Sequence, residues 1–386
     1  MRRVGITAAL VAGVALGVVG TSALRRDDVN TPALPPAEPT ALTVTTVPTP
    51  ADGVLLIWVP GGLPSGFADR LRTAAGLGAV TVVLGDTVQL VSSADADGAV
   101  VDAPADGRMI PLDALAVDCT SWSAVAPLAD ATAVCSLQPD EALLGSTSAS
   151  LRRLGAGATL TLAGGRTVRV AGVVDDHVVG AAELVVPMVS AAATGIDTER
   201  YALATYADDR AAAEARVRAV TDVGLRVRGP GETPWLRHGD AVLPQSLLKE
   251  VFGEFAARPT GGGRLAIDPS WESANLVVEE LPLLGAARCH RALLPALRGA
   301  LAELQSRRLL TTLDRGAAGC WNPRVIAGTD QPSRHAWGAA VDLLPFPSDQ
   351  GTIDEVVAVM ERWGFTWGGR WVSPDPPHFE YVRPPD

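Results

Sequence analysis

The sequence predicts an α+β protein, and three observations carry that prediction. Between residues 53 and 245, strand-like apolar runs alternate with helical stretches. After residue 264, two amphipathic helical patterns frame a histidine-bearing segment, and a β-like FEYV follows the last histidine. The chain has 386 residues, 47% hydrophobic and 19% charged, which is enough for about two domains with real cores. A formal net charge of -11 and no clustered Lys or Arg argue against a nucleic-acid surface, because phosphate contacts need concentrated positive charge.

Residues 4–24 carry no charge, and as a helix these 21 residues would span about 31 Å, the thickness of a bilayer core. Two readings compete: a membrane anchor, or a signal peptide cut after Thr21, Ser22 and Ala23. The run exceeds the usual signal-peptide core and ends in Arg25 and Arg26, which favours the anchor. Either one exports the rest of the chain. Two arginines flank each end of the run, so the positive-inside rule leaves orientation open, and the cysteines argue for the outside. Residues 27–52 are rich in Pro, Thr and Ala, as suits an extended stalk.

The four cysteines, Cys119, Cys135, Cys289 and Cys320, lack the C-x2-C spacing of a structural zinc site. An even count in an exported protein reads as disulfides, with four buried free thiols as the rival reading. Proximity in the chain and the division into domains favour Cys119 with Cys135 and Cys289 with Cys320, one bridge in each domain.

An α+β domain of unknown role is expected over residues 53–245, from VLLIWV, AVTVVLG, TVQLVSS, ATLTLAGGRTVRVAGVV and AELVVP with the helical DDRAAAEARVRAV. GRTVRVAGVVDD followed by AELVVP resembles the extracytoplasmic domain of FtsX-like and MacB-like ABC permeases. That resemblance implies a membrane, divisome or transporter partner for this domain. His177 and His238 lie in polar surroundings and read as surface residues.

A compositional break is expected at RPTGGGR, residues 258–264, because six of the nine tryptophans follow it. In CHRALLPALRGALAELQSRRL, Leu294, Leu297, Leu301 and Leu304 recur at helical spacing. TIDEVVAVMERWG opens with the capping-box pattern Thr352 and Glu355 and stops at Gly364.

Between these helices lies SRHAWGAAVD. For His335 and Asp342 to share a metal, each donor must approach it to about 2.0–2.2 Å. Seven residues of strand would separate them by about 23 Å and seven of helix by about 10 Å, so the chain must double back. Gly338, Ala339 and Ala340 give a place to turn, and VDLLPF then reads as a short strand starting at Asp342. His378, in PDPPHFEYV, completes a set of two histidines and one carboxylate, the donor set of a catalytic zinc with one open position. Asp375 precedes His378 by three residues across Pro376 and Pro377. In polyproline II these positions point the same way about 9 Å apart, which suits a general base that does not bind the metal. Glu380 falls on the same strand face as His378 and suits the orientation of its ring.

SRHAWGAAVD, WGFTWGGRW and DPPHFE together resemble the M15 family of zinc peptidases, the D-alanyl-D-alanine carboxypeptidases and L-alanyl-D-glutamate endopeptidases that cut peptidoglycan stem peptides. GEFAARP, ARCHRALLPAL and GCWNPRVIAG extend the likeness upstream, to about residues 250–386. The resemblance implies one zinc held by His335, Asp342 and His378, Asp375 as base, Arg324 as the cation for a carboxylate or developing oxyanion, and Ser333 as a substrate contact. It also implies a small antiparallel sheet flanked by helices, and places His290 on a structural helix. Peptidoglycan peptides are the expected partner and the outer side of the cell membrane the expected location. A cell-wall-binding module, or a permease-associated sensor with an inactive or accessory peptidase, is the alternative.

Overall fold

The computed structural model describes residues 53–383 apart from 127, 181, 208, 230–231, 233–238 and 315–318. The apolar run over residues 4–24, its possible cleavage point, the stalk and His238 lie outside the described residues. Among the described residues, no helix is long and apolar enough to cross a membrane.

Ten strands form one large sheet. They are β1 (Val54–Trp58), β2 (Leu77–Ala94), β3 (Val100–Asp102), β4 (Ile110–Val117), β5 (Glu141–Gly145), β6 (Thr159–Leu162), β7 (Thr167–Val174), β8 (Leu184–Pro187), β9 (Glu199–Tyr206) and β10 (Arg226–Arg228). The order is β10-β1-β9-β2-β4-β8-β5-β7-β6; β6 also pairs with β2, so part of the sheet closes on itself, and β3 hairpins onto the end of β2. β4 with β8 and β5 with β7 are parallel pairs in an otherwise antiparallel sheet. AVTVVLG and TVQLVSS, two runs in the sequence, are one continuous strand, because β9 and β4 pair along β2 from either side. Leu112, Leu144, Leu160 and Val168 pack in one core, and Leu115, Leu143, Val185 and Tyr201 in another. The helix Arg210–Ala219 starts at Asp209, whose carboxylate accepts from the backbone N–H groups of Ala211 and Ala212, and buries Ala213 and Val217. The bridge Cys119–Cys135 joins two short helices beside this sheet.

The helix Gln245–Phe252 runs across residue 250 and has two attachments. Leu248 and Phe252 lie in the core of the C-terminal region, with Leu297, Val341 and Phe379. Lys249 instead reaches the large sheet: its Nζ donates to the Pro111 carbonyl and to both Glu183 oxygens, at 2.9 Å each for the latter. Arg152 and Glu254 complete this buried cluster.

RPTGGGR is a tight hairpin rather than a break. β11 (Ala257–Gly261) and β12 (Arg264–Ile267) pair across Gly261, Gly262 and Gly263, all at positive φ, a conformation cheap only for glycine. β13 (Leu276–Leu281) and β14 (Gly285–His290) form a second hairpin. The helix Leu294–Ser306 follows, with Leu294, Leu297, Leu301 and Leu304 buried as their spacing predicts. Cys289 and His290 belong to β14, so His290 is on a strand and not a helix. The next long helix is Gln350–Arg362; its cap is Asp349, whose carboxylate accepts from Thr352 N–H, so the start lies earlier than the Thr352 and Glu355 capping box. The last sheet has three antiparallel strands: β15 (Ala340–Asp342), β16 (Phe365–Trp367) and β17 (His378–Tyr381), with β17 central. Asp342 ends β15 rather than beginning a strand.

Candidate metal centre

The last sheet places two of the three candidate ligands by register alone. Asp342 pairs directly with His378 across β15 and β17, so their side chains rise side by side from one face. His335 comes from the single turn Arg334–Trp337, which Ser333 caps: its hydroxyl oxygen faces His335 N–H at 3.4 Å. Gly338 then reverses the chain with φ 65, and a Cβ there would come within 2.8 Å of the His290 nitrogen. This is the doubling back that a shared metal demands of His335 and Asp342.

His335 Nε2, Asp342 Oδ1 and His378 Nδ1 converge: His335 stands 3.2 Å from Asp342 and 3.2 Å from His378, and His378 stands 3.0 Å from Asp342. They form a group able to hold a metal ion. Three donors each about 2.0–2.2 Å from a tetrahedral cation would stand about 3.3–3.6 Å apart. The observed set is close to that spacing.

The outer nitrogens explain why lone pairs face inward. His335 Nδ1 lies 2.8 Å from the Cys320 carbonyl, which can only accept, so Nδ1 carries the proton and Nε2 is a free donor to a cation. The buried bridge Cys289–Cys320 fixes that carbonyl, pairing the cysteines as their spacing favours. His378 Nε2 faces Glu380 Oε1 at 3.4 Å. Burial pushes the Glu380 carboxyl up, but His378, Arg334 and His335 outweigh it and hold the group below its usual range. Burial likewise pushes Asp342 up, and the neighbouring His335 and His378 bring it well below the usual carboxylate range. Burial lowers the His378 pKa, yet Asp342 and Glu380 raise it to about 9.

Asp375 lies beside this set but is not one of the converging groups. The chain from Asp375 to His378 is a turn and not extended polyproline II: His378 N–H donates to the Asp375 carbonyl at 3.1 Å. Such a turn brings the two Cα atoms within about 7 Å, closer than the 9 Å of polyproline II. Asp375 N–H donates to the Gly368 carbonyl, and Trp367 Nε1 donates to the Pro376 carbonyl at 2.7 Å, which pins the turn from two sides. The Asp375 side chain is exposed. The Trp371 ring lies 5.0 Å from the His378 ring and walls the site.

Arg324 is half-buried; its carbonyl accepts from Ser333 N–H at 2.9 Å, which ties it to the turn bearing His335. Among the described residues, no carboxylate pairs with its guanidinium. Ser333 is buried and caps its turn. His290 is buried and structural: Nε2 lies 3.0 Å from the Phe252 carbonyl and Nδ1 accepts from Ala292 N–H. His177 is half-buried beside Asp130, at 3.5 Å. Two contributors have no motif of their own. One is the Cys320 carbonyl. The other is Arg334, a buried guanidinium that donates to the Leu243 carbonyl at 2.6 Å and adds positive charge near Glu380; its position next to His335 was the available signal.

A family model described as D-alanyl-D-alanine carboxypeptidase matches residues 327–381. That stretch holds Ser333, His335, Asp342, Asp375, His378 and Glu380, and leaves out Arg324. The family likeness supports a peptidase at a coarse level and matches the resemblance read from the motifs. No curated protein sequence matches the chain. Among solved structures, the periplasmic region of MacB from Actinobacillus actinomycetemcomitans is similar, with a TM-score of 0.30 and 13% identity over 46% of this chain and 88% of that one. The extracellular domain of the noncanonic ABC-type transporter YknZ from Gram-positive bacteria gives a TM-score of 0.29 and 10% identity, over 46% of this chain and 100% of that one.

Proposed function

We infer that the chain is a zinc-dependent peptidase that hydrolyses peptidoglycan stem peptides, as a D-alanyl-D-alanine carboxypeptidase or an L-alanyl-D-glutamate endopeptidase. The observation that carries this reading is the convergence of three lone-pair donors within 3.2 Å of one another, beside a turn bearing an exposed carboxylate. His335, Asp342 and His378 would hold the ion. Zinc bound there supplies Lewis acidity, polarising the scissile carbonyl and easing deprotonation of water.

The chain's own residues do the rest. Asp375 takes a proton from the attacking water and returns it to the leaving amine, a role that needs a carboxylate near the metal but not on it. Arg324 pairs with a substrate carboxylate or with the negative charge that develops on the carbonyl oxygen. Ser333 positions His335 through its cap, and Glu380 orients His378 by accepting from Nε2. The two disulfides support an oxidising location, and we place the domains outside the cell membrane, tethered by residues 4–24.

Incubating the zinc-loaded full chain with defined muropeptides and weighing the products by mass spectrometry tests this reading. Loss of a terminal D-alanine identifies a carboxypeptidase, and cleavage between L-alanine and D-glutamate an endopeptidase. Intact muropeptides after prolonged incubation would overturn it.

A further inference from the structure

Arg324 lies in a strip of four chain segments that runs outward from the metal centre. The innermost, residues 331–333, leads into the turn bearing His335. It is tied to residues 324–326 by Ser333 N–H, which donates to the Arg324 carbonyl at 2.9 Å, and by Ile326 N–H, which donates to the Gln331 carbonyl at 2.8 Å. On the other side of Arg324 lies β12: Leu265 N–H donates to the Pro323 carbonyl and Val325 N–H to the Gly263 carbonyl, both at 2.9 Å. β11 is outermost.

The two bonds that join this segment to β12 flank Arg264 and Arg324, which therefore stand directly opposite each other on one face. A pair without hydrogen bonds of its own has its Cα atoms about 4.5 Å apart, the closer of the two spacings in an antiparallel ladder. Pro323 has no N–H to extend the ladder, so the contact stays a single bridge. Like charges placed opposite each other repel. Among the described residues, neither guanidinium pairs with a carboxylate that would offset this repulsion. Acids are not scarce: the chain has 43 Asp and Glu against 32 Lys and Arg, and in the same region Arg288, Arg298, Arg362 and Arg370 each pair with a glutamate. Arg264 is exposed and Arg324 half-buried. An anion that reaches the pair removes the repulsion and meets two planar forks, each shaped for a carboxylate.

We propose that Arg264 is a specificity residue: with Arg324 it forms a two-guanidinium subsite that takes the free C-terminal carboxylate of a peptide, and so selects chains that end close to the bond that is cut. The inference rests on the peptidase reading and favours one of its two forms. A carboxylate held by this pair lies one or two segments from the ligand-bearing turn, and the carboxylate that close to a scissile bond is the chain terminus when the last residue is released. Arg264 lies outside residues 327–381, the stretch matched by the family model.

Calorimetric titration of the full, metal-stripped chain tests it without cleavage. The probes are a stem pentapeptide ending in D-alanyl-D-alanine and the same peptide as its C-terminal amide. The acid should bind roughly tenfold tighter than the amide. Arg264→Gln should remove most of that preference and Arg264→Lys should retain part of it, while Arg258→Gln, which removes the same charge from β11, should leave it unchanged. Arg264→Gln should also hold or raise the urea unfolding midpoint, because it relieves the repulsion with Arg324. Equal binding of acid and amide, a preference untouched by Arg264→Gln, or one lost equally in Arg258→Gln would overturn the subsite. If the preference behaves as expected but the zinc-loaded chain cuts no muropeptide, the subsite stands and the peptidase reading falls.

Discussion

Two buried polar clusters in this molecule show opposite logic. Lys249, Arg152, Glu183 and Glu254, where the helix Gln245–Phe252 meets the large sheet, bring two cations to two carboxylates. Lys249, Arg152 and Glu183 are fully buried, and despite burial, which pushes it up, Glu183 is held below the usual carboxylate range by Lys249 and Arg152. That cluster balances its own charge and acts as an internal joint. His335, Asp342 and His378 instead aim three electron-pair donors at one point, while the outer nitrogens of the two histidines face the Cys320 carbonyl and Glu380. A self-neutralised cluster holds a structure together; an excess of inward-facing acceptors is a place for a cation.

The largest effect that sharpens this contrast is catalytic. Asp375→Asn should keep the bound zinc and lose about 10²- to 10⁴-fold in turnover of muropeptides, the scale of a general base. Metal analysis and rate on the same sample check it.

Breaking the internal joint should show in stability, not in chemistry. Lys249→Met leaves Glu183 buried beside a single cation and should cost about 3–5 kcal/mol in urea unfolding. The zinc affinity of the folded fraction should be unchanged.

Acid should weaken the fold through His290. Burial lowers its pKa to about 4; the hydrogen bond with Phe252 opposes the shift and Arg291 adds to it. The unfolded chain titrates near 6.5, so between about pH 6.5 and 4 it binds more protons than the folded one, and stability falls as pH falls through that window. The loss by pH 4 is about 3 kcal/mol. His290→Gln should flatten the profile of unfolding midpoint against pH.

A smaller effect belongs to Glu380. Glu380→Gln keeps an acceptor for His378 but removes its charge, and should weaken zinc binding about 10- to 100-fold in chelator competition.

What could be read from the sequence follows the range of the interactions. Leucine spacing set the helix Leu294–Ser306, and chain proximity set both cysteine pairs, because these depend on local periodicity and short loops. The three converging donors were legible because a chain that must reverse needs Gly338 between His335 and Asp342. Local rules misled where a competing neighbour existed: Asp349 caps the helix that Thr352 and Glu355 seemed to start, and the proline pair after Asp375 makes a turn because Gly368 and Trp367 hold its flanks. The Cys320 carbonyl left no mark in the sequence and Arg334 only its place beside His335, since each contact joins a side chain to a backbone carbonyl distant along the chain.

The central claim is that His335, Asp342 and His378 form a cation site, and calorimetric titration of the metal-stripped chain with Zn²⁺ tests it most directly. One ion per chain should bind to the wild type, and His335→Ala, Asp342→Ala and His378→Ala should each abolish that binding while Asp375→Asn retains it. A wild type that takes up no zinc, or three alanine variants that bind it as the wild type does, would contradict the account.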